Sequence, residues 1–73
     1  MTSIPSDPSV VINGESCALN VPITLSALLT LRDIDSKRVA IAVNGTLVPR
    51  STFHKYLVHA NDQLEILEAM QGG

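Results

Sequence analysis

Few residues of this chain have side chains or end groups suited to covalent or metal chemistry. They are Cys17, His54, His59 and the glycine pair Gly72-Gly73. The histidines are five positions apart, whereas side chains on one helical face are about three or four apart, so we expect no shared metal ion. Cys17 is the only cysteine; it excludes an internal disulfide and is predicted to be a small buried hydrophobic residue. No Ser-His-Asp order, paired acidic set or phosphate-binding glycine loop is present.

The glycine pair at the end of the sequence is the remaining candidate. No turn or helix cap there requires a positive φ angle. A carboxylate is a poor electrophile, but adenylation converts it into a mixed anhydride, which a sulfur nucleophile can attack with release of AMP. Two residues without Cβ would let such an end enter a narrow channel of another protein. A frayed end without function is the alternative that the tail alone leaves open.

Length and charge limit the other functions. Seventy-three residues form one domain, and the net charge is −2 with five Lys and Arg. Nucleic-acid binding requires clustered cations, so we do not expect it. The sequence has no apolar run as long as a membrane span and no export signal, which favours the cytoplasm. Residues 1–8, with two prolines among small polar residues, are predicted to be a flexible leader.

The first half of the chain predicts a hairpin followed by a helix. Asn13-Gly14 follows a β-branched run, Val10–Ile12, and is the strongest short signal for a type I′ hairpin turn. The return strand is predicted over Glu15–Asn20. Thr24 is a candidate N-cap for a helix over Leu25–Arg32, whose leucines recur with helical spacing.

The second half predicts a second hairpin and a final strand. Val39–Val43 alternates large and small side chains, and Asn44-Gly45 turns the chain into a short strand that ends before Pro49. A short helical turn is expected over Ser51–Leu57, with Phe53, Tyr56 and Leu57 on one face. Leu64–Glu68 is the last strand. The prediction is an α+β domain over residues 9–68, followed by a flexible tail over residues 69–73.

Two motifs point to a known family. The segment "VAIAVNGTLVPR", Val39–Arg50, and the ending "MQGG", Met70–Gly73, resemble the sulfur carriers of thiamine biosynthesis, the ThiS family. The resemblance runs from about Val10 to Gly73. It implies a ubiquitin-like β-grasp fold, in which a mixed sheet of four to five strands packs one main helix on one face. The first and last strands would then pair at the sheet centre, a join that the sequence pattern alone does not fix.

The same resemblance implies a function. Gly73 would be adenylated by an E1-like adenylyltransferase that uses ATP and magnesium, and then converted to a thiocarboxylate. A cysteine desulfurase or rhodanese-type protein would donate the sulfur, and thiazole synthase would receive it. Gly72, Gln71 and Met70 would present the modified end. The chain itself would bind no cofactor and would be a carrier rather than an enzyme.

Three other functions remain open from the sequence. The small subunit of molybdopterin synthase would carry sulfur to a pterin, a ubiquitin-like modifier would join Gly73 to lysines of target proteins, and a plain interaction domain would not use its end. For partner binding, the apolar candidates near the tail are Leu47, Val48, Phe53 and Leu67. The alternative is that most of these four belong to the core.

Overall fold

The computed structural model describes residues 9–68. The predictions for the leader, residues 1–8, and for the tail, residues 69–73, lie outside the described residues. Within them the chain forms seven strands and one α-helix. The strands are β1 Ser9–Ile12, β2 Glu15–Ala18, β3 Ile23–Thr24, β4 Val39–Val43, β5 Thr46–Val48, β6 Leu57–Val58 and β7 Gln63–Glu68; the helix α1 is Leu25–Leu31. Two 3₁₀ turns occupy Ser36–Arg38 and Arg50–Thr52.

The main sheet has the order β2-β1-β7-β4-β5. β1 and β7 run parallel, and the other neighbours are antiparallel. This mixed five-stranded sheet, with its first and last strands adjacent and one helix on one face, is the predicted β-grasp arrangement. The buried core lies between the helix and the sheet: Val10, Ile12, Leu25, Leu28, Leu29, Val39, Ile41, Val43, Val48, Phe53, Val58, Leu64 and Ile66.

Both Asn-Gly hairpins are confirmed. Asn13 and Gly14 have φ angles of 52° and 86°, and Asn44 and Gly45 have 52° and 87°. Two successive positive φ angles define the type I′ turn, whose twist matches that of the strands it joins. Asn tolerates this left-handed conformation better than most residues, and Gly adopts it without steric cost.

The helix begins where the sequence predicts and ends one residue earlier. The hydroxyl of Thr24 accepts a hydrogen bond from the backbone N–H of Ala27 at 3.1 Å, which satisfies one of the donors that a helix leaves free at its start. Leu25, Leu28 and Leu29 are buried against the sheet. Arg32 is the C-terminal cap rather than the last helical residue.

A second, two-stranded sheet was not predicted. β3 and β6 pair antiparallel, with Ile23 opposite Val58 and Thr24 opposite Leu57. The helical turn expected over Ser51–Leu57 is therefore only partly correct, because the 3₁₀ turn ends at Thr52 and Leu57 is 46% exposed. Two-residue strands are too short to show an alternating pattern in the sequence.

None of the helical segments between residues 9 and 68 has the length and apolar character of a membrane span.

Candidate functional site

The predicted modified residue, Gly73, and the predicted presenting residues Met70, Gln71 and Gly72 lie outside the described residues. The structure does describe β7, the strand that leads to them. On one side β7 pairs with β4 along its length, from Leu64 opposite Val43 to Glu68 opposite Val39. On the other side β1 pairs with β7 only at Gln63 and Leu64. Within residues 9–68, no strand adjoins the second half of β7 on the β1 side.

Beyond the end of β1, the side chain of Asn13 continues the hydrogen bonding to β7. The backbone N–H of Asn13 donates to the Leu64 carbonyl at 2.9 Å. The Asn13 amide then bonds to both backbone groups of Ile66: Oδ1 accepts from the N–H at 2.8 Å, and Nδ2 donates to the carbonyl at 3.2 Å. The amide thus takes the place of one more peptide unit of β1, and it anchors β7 two residues before Glu68.

The asparagine of the second hairpin anchors the opposite end of the same strand. Asn44 exchanges two hydrogen bonds with Gln63: its Oδ1 accepts from the Gln63 N–H at 2.9 Å, and its backbone N–H donates to the Gln63 carbonyl at 2.7 Å. Its Nδ2 donates to Asp62 Oδ1 at 3.1 Å, while Asp62 Oδ2 accepts from the His59 N–H at 2.9 Å. Both turn asparagines therefore bind β7.

The sheet face that points away from the helix carries an exposed apolar surface. Leu47 stands opposite Ala42, and Leu67 stands opposite Ala40, so the four side chains share this face. Leu47 is 66% exposed and Leu67 60% exposed. A cavity of about 190 Å³ lies beside Leu47 and Ala40 and is bounded by Pro49. We refer to Ala40, Leu47 and Leu67 as the outer patch.

Two of the four predicted partner-binding residues do not belong to a surface. Val48 is 7% exposed and Phe53 2% exposed, and both pack in the core. Val48 stands opposite Ile41, so the pleat of the sheet turns it toward the helix. Phe53 follows the second 3₁₀ turn, and its carbonyl accepts a hydrogen bond from Ser26 N–H at 3.1 Å, which holds it against the start of the helix. The surface candidates that remain are Leu47 and Leu67.

Arg50 fixes the hairpin that carries part of the outer patch. Its Nε donates to the Ser36 carbonyl at 3.0 Å, and its Nη2 donates to the Val39 carbonyl at 3.1 Å. These bonds tie the start of the second 3₁₀ turn, two residues after β5, to the segment that enters β4. The side chain therefore sets the position of β4 beneath the outer patch.

A second cavity, of about 370 Å³, opens where β7 ends. It is lined by Asn13, Arg32, Ile34, Val39, Ile66, Leu67 and Glu68. Arg32 also reaches toward Cys17, with its Nη1 3.8 Å from the sulfur. Cys17 is half-buried and packs against the core, so the expectation of a buried cysteine is only partly correct.

The histidines do not form a site in the described part of the chain. His54 and His59 are exposed. Among residues 9–68, no three His, Cys, Asp or Glu side chains are grouped so that they could hold a metal ion.

Several known proteins are similar to this chain in sequence and identify its family. The sequence model of the ThiS family matches residues 10–73. The chain is 38% identical over 65 residues to the uncharacterized protein ycf40 of Porphyra purpurea, covering 89% of this chain and 92% of that protein. It is 39% identical over 70 residues to the uncharacterized protein ycf40 of Pyropia yezoensis, covering 96% of this chain and 99% of that protein. It is also 38% identical over 64 residues to a thiazole synthase of Paramagnetospirillum magneticum, covering 88% of this chain but 20% of that protein.

A solved structure confirms the fold. The crystal structure of the thiamine biosynthesis protein ThiS from Geobacter metallireducens superimposes with a TM-score of 0.77 and 24% sequence identity. The superposition covers 89% of this chain and 99% of that one. The predicted β-grasp fold is thereby confirmed.

Proposed function

The chain belongs to the ThiS family of ubiquitin-like sulfur carriers, and from this premise we propose that it carries sulfur for the thiazole ring of thiamine. The observation that carries the proposal is the family match, which extends through Gly73. Thiazole is chosen as the sulfur acceptor because a segment similar to this chain forms 20% of the thiazole synthase of Paramagnetospirillum magneticum, so that a relative of the carrier and a thiazole synthase occur in one protein.

The proposed chemistry takes place on the terminal carboxylate of Gly73. A carboxylate oxygen attacks the α-phosphorus of ATP on an E1-like adenylyltransferase, and pyrophosphate leaves with magnesium bound by that partner. The terminal sulfur of a persulfide on a cysteine desulfurase or rhodanese-type protein then attacks the acyl carbon, and AMP leaves. A thiol cleaves the resulting acyl disulfide, so that the sulfur stays on Gly73 and the thiol is oxidised to a disulfide. The resulting thiocarboxylate gives its sulfur to thiazole synthase. In this scheme, which we place in the cytoplasm, the chain is a co-substrate of its partners, and Met70, Gln71 and Gly72 reach into their active sites.

We also propose that the adenylating partner docks on the outer patch. Leu67 lies on β7, the strand that continues into the tail, so a protein that takes the tail into a channel comes against this face. Leu47 and Ala40 extend the apolar surface across β4 and β5. Exposed leucines beside a cavity suit a docking surface, because contiguous exposed apolar side chains mark sites of protein interaction.

The mass of the intact protein tests the proposal directly. The chain is purified from its native cells, grown with and without thiamine, and its mass is measured without proteolysis. We expect a species that ends at Gly73 and is heavier by the difference between a sulfur and an oxygen atom, with a larger share under thiamine starvation. A variant lacking Gly73 is the control and should show no such species. Only unmodified protein in both media contradicts the proposal, and adducts on other proteins would indicate a modifier.

A gene deletion separates the two sulfur acceptors. We expect the deleted strain to grow only when thiazole or thiamine is supplied, and to keep its molybdoenzyme activity. Loss of molybdoenzyme activity without a thiazole requirement would instead assign the carrier to pterin sulfuration.

A further inference from the structure

We propose that Asn13 is a positioning residue for the tail: its amide holds the end of β7 in place, so that an adenylating partner receives the tail from a fixed base. The inference rests on the proposed function, since it assumes a partner that acts on Gly73. Asn13 lies 53 positions before Ile66 in sequence, and no sequence motif links Asn13 to the tail.

The support of β7 by neighbouring chain segments is unequal along its length. Leu64 has β1 on one side and β4 on the other, whereas Ile66 has β4 on one side and the Asn13 amide on the other. Without that amide, the Ile66 N–H and carbonyl lose their partners on the β1 side. Residues 66–68 would then depend on the first residues of β4 alone, and strand ends with one neighbour open most readily.

Fraying of β7 would change how the tail binds rather than how it reacts. A partner that takes up the tail must order every residue that is free beforehand, and each ordered residue reduces the affinity. An intact β7 end removes residues 66–68 from this cost. Once bound, the tail would have the same geometry in either case. Loss of the amide should therefore raise the KM for the carrier and leave kcat unchanged.

The side chain at position 13 has two requirements that few residues meet together. The φ angle of 52° demands Asn, Asp or Gly. The contact with Ile66 demands one acceptor and one donor on a short side chain. Gly meets the first requirement only. Asp keeps the acceptor for the Ile66 N–H but places a second oxygen against the Ile66 carbonyl. We therefore expect function to decrease in the order Asn, Asp, Gly.

The chain contains a matched control in Asn44. It occupies the same turn position with the same φ of 52° and also binds β7 through its amide, but at Gln63, the opposite end of the strand. Asn44→Gly also removes two side-chain hydrogen bonds, one to Gln63 of β7 and one to Asp62 just before the strand, without touching the end that leads to the tail.

The experiment compares Asn13→Gly, Asn13→Asp and Asn44→Gly with the unchanged chain. ATP–pyrophosphate exchange by the adenylating partner is measured against carrier concentration, and hydrogen exchange of the Leu67 amide, which lies opposite Ala40 on β4, is followed in the free carrier. We expect both Gly variants to lower the melting temperature. Of the two Gly variants, only Asn13→Gly should raise KM, by about tenfold, or about 1.4 kcal/mol, at constant kcat and with faster exchange at Leu67. The KM of Asn13→Asp should lie between the values for the unchanged chain and for Asn13→Gly.

Equal KM values for Asn13→Gly and the unchanged chain would overturn the inference, as would an equal rise for Asn44→Gly, which would show a general loss of stability. If Asn13→Gly does not fold, Asn13→Asp decides by the same comparison. Failure of the unchanged chain to support any exchange would count against the proposed function instead, while the exchange rate at Leu67 would still test whether Asn13 holds the end of β7.

Discussion

Leu47 and Val48 are neighbours in sequence with opposite environments. The pleat of β5 turns Val48 into the core, at 7% exposure, and leaves Leu47 outside, at 66%. Hydrophobicity alone made both candidates for partner binding. The register of β5 against β4 decides between them.

Substitution of the exposed leucines tests the outer patch. We expect Leu47→Ser and Leu67→Ser each to weaken binding of the adenylating partner by about 2 kcal/mol, the typical contribution of burying one leucine side chain. The free energy of unfolding should change by only about 0.5 kcal/mol, because both side chains are exposed. Calorimetric titration and urea unfolding provide the two values.

Leu31 is the matched control, because it is 66% exposed but lies at the end of the helix. Leu31→Ser should leave partner binding unchanged. Equal losses for all three variants would show that the outer patch has no special role.

Among the elements, the β4–β5 hairpin depends on one distant side chain. Arg50 donates to two carbonyls in the segment that enters β4. Removal of a charged donor leaves those carbonyls without their partner.

We therefore expect Arg50→Ala to lower the free energy of unfolding by about 1–2 kcal/mol, measured by urea denaturation. Arg38→Ala is the control; Arg38 is an exposed arginine at the end of the neighbouring 3₁₀ turn and should change stability by only about 0.5 kcal/mol. A loss for Arg38→Ala as large as for Arg50→Ala would contradict the assigned role of the two Arg50 hydrogen bonds.

The sequence predicted the elements whose signals are local. Asn-Gly pairs marked both hairpins, Thr24 marked the helix start, and alternation marked the buried side of β4. The strand order required the family resemblance. The side-chain contacts of Asn13, Asn44 and Arg50 could not be predicted, because each joins segments between 11 and 53 positions apart. Asn was read only as a turn residue, although its amide also binds β7.

For the domain as a unit, the proposed reactive end and the described core occupy different parts of the chain. Among residues 9–68, every buried residue of the core cluster lies between Val10 and Ile66. Changes at Gly73 should therefore alter function without altering stability.

The corresponding prediction uses two variants, one without Gly73 and one with an alanine added after it. Both should unfold at the urea midpoint of the unchanged chain, and neither should form a thiocarboxylate that supports thiazole synthesis. Growth of a thiazole-requiring strain on the extended variant would refute the role of Gly73.

The central position of β7 also has a consequence for synthesis on the ribosome. β7 is the last of the strands within residues 9–68 to be made, yet it separates the β1–β2 hairpin from the β4–β5 hairpin. Until residues 63–68 emerge, the nascent chain holds two hairpins with no strand to join them, and an isolated hairpin is marginally stable in water. Folding is thus completed by the segment that directly precedes the tail. An adenylating enzyme that recognises the assembled sheet would therefore act on folded carriers and pass over released chains whose β7 has not yet joined the sheet.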